Sequence, residues 1–147
     1  MINYVSAKLN EILEKGRDYS WEKPSHCPRC NMFRLWGHGF VTKFYDNFAQ
    51  ALFLRRYRCP DCGCVILMKP YGYFRRFQAP IETIRHCISE RIKTGRWPPG
   101  LAGPRQRHWL RALKRKALAY RGVNAGPLLD VFDALLKKRI IAVSRSI

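Results

Sequence analysis

Four cysteines, arranged as two C-x-x-C pairs, are the residues of this chain whose spacing predicts a defined chemistry. Cys27 and Cys30 form the first pair, and Cys59 and Cys62 form the second. Each C-x-x-C turn can present two thiolates to one point, and two such turns supply the four ligands of a tetrahedral structural zinc site. A redox-active pair is the alternative, but redox chemistry does not require a second, matching pair. The sequence therefore predicts one structural Zn²⁺ held by these four cysteines.

Two neighbouring residues lie close enough in sequence to replace one of these ligands. Cys64 follows the second pair, and His26 directly precedes the first. A small residue on a strand and a solvated histidine are the simpler interpretations, so neither is placed in the predicted ligand set. Gly63 gives the second turn the permissive backbone that a zinc knuckle commonly needs. Cys87 lies beside a stripe of isoleucines and is predicted to be a buried thiol.

Positive charge is the second unusual property of the chain. Its 147 residues include 28 Lys and Arg but only 10 Asp and Glu, for a formal charge of +18. Such an excess favours a polyanionic partner, with nucleic acid preferred over a membrane surface or an acidic protein. Ten of the basic residues fall between Arg91 and Arg121, a segment without any Asp or Glu. A basic face that serves only solubility usually mixes both signs, so this segment is predicted to contact nucleic acid.

The predicted contact residues come from both halves of the chain. In a helix over 104–120, at about 100° per residue, four basic side chains share one face opposite an apolar stripe. That face could meet phosphates or base edges while the stripe packs. The predicted contacts are Arg107, Arg111, Lys114 and Arg115 on this face, Arg96 and Arg105 near it, and Arg55, Arg56, Arg58, Arg75 and Arg76 closer to the cysteines.

The pattern of elements predicts an α+β fold. It consists of a small three-stranded zinc ribbon followed by a basic three-helix, helix-turn-helix-like bundle, with a short N-terminal helix. The predicted domains are residues 1–25 for the N-terminal helix and connector, 26–77 for the ribbon and 78–147 for the basic helices. Within them, the predicted elements are a helix over 3–15, strands over 33–44, 51–58 and 64–69, and helices over 81–92, 104–120 and 127–139.

Aromatic residues of the ribbon have two interpretations. In the first, they fill its small core and join it to the helices; in the second, some of them stack on exposed bases, as in single-strand binders. The core interpretation is favoured and covers Phe33, Trp36, Phe40, Phe44, Phe53 and Tyr57. The stacking candidates are Trp36, Tyr71, Tyr73 and Phe74, of which the run Tyr73-Phe74-Arg75-Arg76 is the best.

The cysteine motifs carry a family resemblance. Cys27-Pro28-Arg29-Cys30, together with the run from Arg56 to Gly63 (RYRCPDCG), resembles the zinc ribbon at the front of many bacterial insertion-sequence transposases. In that family the ribbon precedes a helix-turn-helix, and both recognise the ends of the element. The resemblance spans roughly residues 25–120 and is specific only at the two knuckles. It implies that the four cysteines bind zinc and that the basic helices contact DNA.

The chain departs from that family because it offers no catalytic carboxylate triad for a metal pair. Its few acids after Glu22 show no RNase-H-like strand pattern around them, so the chain is predicted not to be an enzyme. The resemblance then implies a recognition or accessory protein of a mobile element, acting with a larger recombinase or effector protein. The alternatives are an RNA-binding zinc ribbon of a ribonucleoprotein, and an adaptor that docks a partner through helix 127–139.

Location follows from the same features. No run of about 18 apolar residues suggests a membrane-spanning helix, and the first 18 residues lack the apolar centre of a signal peptide. Paired cysteines without export signals favour metal binding in a reducing compartment over disulfides. The expected location is the cytoplasm, or the nucleoid for a DNA-binding protein.

Overall fold

The computed structural model describes residues Met1–Ser144 and contains two compact units, Met1–Tyr71 and a second that begins at Gly72. The α+β class is confirmed, with strands in the first unit and most of the helical residues in the second. In chain order the elements are β1 Ile2–Val5, α1 Leu9–Lys15, a short 3₁₀ helix Gly16–Asp18, β2 Trp36–Lys43, β3 Leu52–Arg58, β4 Val65–Pro70, α2 Ile81–Thr94, α3 Gly103–Arg121 and α4 Leu128–Lys137.

The first unit is built on a four-stranded mixed sheet rather than the predicted three-stranded ribbon. Its strand order is β1-β4-β3-β2; the β4–β3 and β3–β2 pairs are antiparallel, and β1 is parallel to β4. The chain turns at Asp46 and Asn47 between β2 and β3, and Asn47 adopts a left-handed φ of 69° there. A bulge between Gly37 and Phe40 interrupts the pairing of β2 with β3.

The N-terminal helix predicted over 3–15 is wrong in its first half. Residues Ile2–Val5 form β1, and the helix starts only at Leu9, although it ends near Gly16 as predicted. β-Branched and aromatic side chains favour the extended conformation at these positions. Pairing also satisfies backbone groups along β4, since the Leu67 N–H donates to the carbonyl of Met1 at 2.8 Å. Pairing with the distant strand β4, rather than the local spacing of apolar residues, therefore determines the conformation of residues 2–5.

Aliphatic and cysteine side chains, rather than aromatics, fill the core of the first unit. Its buried cluster consists of Leu35, Tyr57, Ile66 and Met68 together with three cysteines. Of the six aromatics predicted to form this core, only Tyr57 is buried, and Phe40 and Phe53 are half-buried in edge-to-face contact at 6.5 Å. The prediction is wrong for the remaining three, which are exposed to 77%, 61% and 61%: Phe33, Trp36 and Phe44.

The second unit contains the three predicted helices, with their ends shifted by a few residues. α2 follows Pro80 and stops at Gly95, whose left-handed φ of 72° lets its N–H donate to the carbonyl of Arg91. The three helices pack against one another around Trp109 and Phe132, which are almost fully buried. Ile92, the last residue of the isoleucine stripe on α2, is half exposed. The helix-turn-helix-like arrangement stays a prediction.

One bidentate ion pair connects α2 with α4. The Arg85 guanidinium donates to both carboxylate oxygens of Asp133, at 2.8 and 2.7 Å. Both side chains are about 40% exposed, so water screens much of their attraction. The pair fixes the approach of two helices whose main attraction is the buried core between them.

Candidate metal centre and basic surface

The four predicted zinc ligands lie together. Their sulfur atoms are all within 4.8 Å of one another, with Cys27 3.6 Å from Cys62 and Cys30 3.5 Å from Cys59. A tetrahedral ion with bonds of about 2.3 Å to sulfur would space its ligands by about 3.8 Å. The cluster therefore has the size and donor set to hold one zinc ion.

The two knuckles have matching backbone geometry. In the first, the Asn31 N–H donates to the carbonyl of Cys27 at 2.9 Å; in the second, the Gly63 N–H donates to the carbonyl of Cys59 at 3.0 Å. Asn31 and Gly63 occupy equivalent positions with φ values of 62° and 69°. Asparagine tolerates this left-handed conformation better than other side chains. The role of Asn31 was missed from the sequence, although its position after Cys30 equals that of Gly63 after Cys62.

The thiols influence one another strongly. Burial raises the pKa of the Cys27 thiol, but the N–H groups of Cys30 and Arg29 stabilise its thiolate and bring the pKa down to about 6. The Met32 N–H lowers the pKa of the Cys30 thiol. Burial and the neighbouring cysteine side chains outweigh this effect and raise that pKa to about 12. Each thiol proton lost from the cluster therefore makes the next thiol harder to deprotonate. A divalent cation would offset this repulsion among four thiolates.

The two possible substitute ligands point elsewhere. Cys64 is buried in the core of the first unit, with its sulfur 3.9 Å from the carbonyl of Val65. His26 is exposed, and its Nδ1 lies 2.8 Å from the hydroxyl of Ser25. Neither belongs to the four-sulfur cluster. Cys87 is buried in the helical core as predicted, and burial raises the pKa of its thiol.

Charge is unevenly divided between the two units. Residues 72–147 contain seventeen Lys and Arg against four Asp and Glu, which gives +13 of the chain's +18. One of those four acids, Asp133, is already paired with Arg85. Most of the electrostatic attraction for a polyanion therefore comes from the helical part of the chain.

The basic side of α3 faces solvent. Arg107, Arg111, Lys114 and Arg115 are all exposed, whereas Trp109 on the opposite side is 1% exposed. The structure brings three of these together in an open cleft of about 500 Å³, and a second cleft of about 270 Å³ shares Arg111. The larger cleft is lined by His108, Arg111, Lys114 and Arg115, and the smaller by Arg91, Trp97, Arg107, Leu110 and Arg111.

The other predicted contact residues are more dispersed. Arg55 is half-buried, with its guanidinium 4.8 Å from the ring centre of Phe40, and Arg105 lies 5.0 Å from that of Trp109. Arg56 is half-buried and its Nε has no hydrogen-bond partner among residues 1–144. The exposed members of the set are Arg58, Arg75, Arg76 and Arg96.

The best base-stacking candidate is wrong. Tyr73 and Phe74 are 8% and 6% exposed, and Phe74 packs on Phe77 and Phe132 with ring centres 5.5 and 6.3 Å apart. A nucleic-acid base cannot stack on an aromatic ring that is buried in the protein core. Trp36 and Tyr71, the other two candidates, are exposed to 61% and 64%.

Sequence reasoning missed three residues that line the clefts. Trp97 lies between two predicted helices, and none of Trp97, His108 and Arg91 is among the predicted contact residues, yet each lines a cleft. The cation over the Trp97 ring is Arg91, six positions earlier in the chain. An arginine in the last turn of a basic helix followed by a tryptophan in the next loop is the sequence signal for such a contact.

None of the helices within Met1–Ser144 has the length and apolarity that crossing a bilayer requires.

Comparison of the chain with protein-family models, curated proteins and solved structures gives no match.

Proposed function

We propose that this chain is a zinc-stabilised nucleic-acid-binding protein without catalytic activity, and that DNA is its preferred ligand. The observation that carries the proposal is the exposed face of α3, with four basic side chains in a segment of 31 residues that has no acid. Lys and Arg that neutralise phosphates release condensed counterions, which is the main source of affinity for nucleic acid. The cysteine cluster would supply stability to the first unit rather than chemistry, because four protein ligands leave zinc no open position.

A recognition or accessory role in a mobile element, beside a larger recombinase, belongs to the same proposal. It rests on the resemblance of the two knuckles to those of insertion-sequence transposases. The absence of catalysis rests on donor chemistry, since within residues 1–144 the only group of three or more potential metal ligands is the cysteine cluster. Two-metal strand transfer needs clustered carboxylates instead.

The test is a titration of the zinc-loaded chain with duplex DNA, single-stranded DNA and structured RNA at several salt concentrations. Affinity should fall linearly on a log–log plot against salt, with duplex DNA bound more tightly than RNA of equal charge. Tighter binding of structured RNA would favour the ribonucleoprotein alternative. Heparin serves as a sequence-free polyanion; binding to heparin but to no nucleic acid would overturn the proposal.

A matched pair of variants locates the interface. The first replaces Arg107, Arg111 and Arg115 by Ala; the control replaces three exposed lysines outside α3, Lys15, Lys23 and Lys137. Both lose three positive charges. The α3 variant should reduce the salt slope by about three if each arginine meets a phosphate, and the control should change it little. Equal effects of the two variants would mean that net charge alone governs binding.

A further inference from the structure

The smaller cleft of the second unit combines an aromatic ring with three guanidinium groups. It lies where the last turn of α2 and the following loop meet α3, and its volume is about 270 Å³. Arg91, Arg107 and Arg111 contribute the charge, and Trp97 and Leu110 the apolar surface. No carboxylate of residues 1–144 lines it, so within the described chain no acid neutralises the three cations.

Trp97 is held in this cleft by contacts other than those of the hydrophobic core. Arg91 lies over its ring, with the guanidinium carbon 5.4 Å from the ring centre, and also donates a hydrogen bond to the carbonyl of Gly95. The core cluster of the second unit, as described to Ser144, includes Leu101 and Leu110 but not Trp97. The ring is therefore fixed in place yet half-exposed, as a ligand-binding aromatic must be.

The smaller cleft shares one lining residue with the larger cleft. Arg111 lines both the smaller and the larger cleft, and the larger one adds His108, Lys114 and Arg115 along α3. Its volume is about 500 Å³. A ligand with one planar group and a chain of negative charges would match the two clefts together, with the planar group on Trp97 and the charges along α3.

We propose that Trp97 stacks on one unpaired base of a nucleic-acid strand whose phosphates run along Arg107, Arg111, Lys114 and Arg115. A volume just below the roughly 300–1,000 Å³ of drug-sized pockets accommodates a single base rather than a stacked pair. A base inside an intact duplex cannot present its face to the ring, so the site selects single-stranded segments, frayed ends or extruded nucleotides. This inference rests on the proposed function, because it takes nucleic acid as the ligand.

The test combines a protein variant with a ligand variant. Wild-type chain and Trp97→Leu are titrated with an oligothymidylate and with an abasic oligonucleotide of the same length, and both are also titrated with duplex DNA. We expect Trp97→Leu to bind the oligothymidylate about tenfold or more weakly, in line with the loss of one stacked base. Binding to the abasic strand and to the duplex should stay within about twofold of wild type.

Two further variants separate stacking from folding and from other aromatics. Trp97→Phe keeps an aromatic face and should restore most of the affinity that Trp97→Leu loses. Trp36→Leu removes an exposed indole of the first unit and should preserve the preference for bases over the abasic strand. Loss of that preference in Trp36→Leu but not in Trp97→Leu would overturn the assignment, as would equal losses on normal and abasic strands. If the wild type binds neither strand nor duplex, the proposed function itself fails.

Discussion

At the scale of single residues, the metal centre depends on two backbone positions as much as on four sulfurs. Asn31 and Gly63 end the two knuckles in the same left-handed conformation. Each lets an N–H turn back to the first cysteine of its pair, which aims both thiols of the pair at one point. The four ligands were predictable because each C-x-x-C pair is a local sequence motif. The equivalence of Asn31 with Gly63 was not, since their types differ and only their dihedral angles agree.

The ligand set predicts which cysteines control metal content. Replacing Cys62 by Ser should reduce zinc from one ion per chain to a small fraction, because three ligands do not close a structural site. Replacing Cys64 or Cys87 by Ser should leave one zinc per chain, since both lie outside the cluster. Elemental analysis of purified variants measures this. Zinc loss from Cys64→Ser together with retention in Cys62→Ser would transfer the ligand role to Cys64.

At the scale of elements, local period predicted the helices well and the sheet poorly. Helices α2 to α4 begin and end close to the predicted residues, because prolines and glycines mark their ends and one apolar face repeats every few residues. The local pattern wrongly predicts a helix at β1, because its partner β4 lies 65 positions away and leaves no local signal. Composition likewise could not show that Phe33, Trp36 and Phe44 face solvent.

The ion pair between α2 and α4 predicts a response to acid. Hydrogen bonds from Arg85, aided by its charge, hold the pKa of Asp133 below its usual value. Its contribution to stability is therefore complete above the unfolded pKa, near 4, and is lost as pH falls through the lower folded pKa. Asp133→Asn should cost about 0.5–1 kcal/mol at pH 7, because both partners are partly exposed.

The acid response is measured by urea unfolding followed through the helical circular dichroism signal at pH 7 and pH 3. Wild type should lose more stability between these values than Asp133→Asn does. Asp130→Asn is the matched control: it removes a charge one turn away on the same helix but leaves the bidentate hydrogen bonds intact. Identical pH profiles for wild type and Asp133→Asn would show that the pair contributes nothing measurable.

At the scale of the whole molecule, each unit has its own hydrophobic core. The metal site belongs to the first core, where Cys27 and Cys59 are fully buried. Metal binding supplies a large part of the stability of small domains of this kind. The second core contains Trp109 and Phe132 and no metal ligand of the cluster.

We therefore expect chelation to loosen the two units unequally. After zinc removal, backbone amides of β2, β3 and β4 should exchange with deuterium much faster, while those in the middle of α3 should keep their protection. Hydrogen exchange followed by mass spectrometry of peptic fragments measures both in one experiment. Equal acceleration in the strands and in α3 would mean that the chain unfolds as a single cooperative body.

The parallel pairing of β1 with β4 has a consequence for a chain that is still being synthesised. β1 is synthesised before its partner β4, which follows 65 residues later, after both knuckles. Metal binding to the four cysteines can therefore bring β2 and β3 together before β1 has a strand to pair with. β1 then pairs with the free edge of β4. At high concentration, the β1 strand of a second copy can pair with that edge instead. Exchange of β1 between two copies is therefore one route to misassembly that this topology allows.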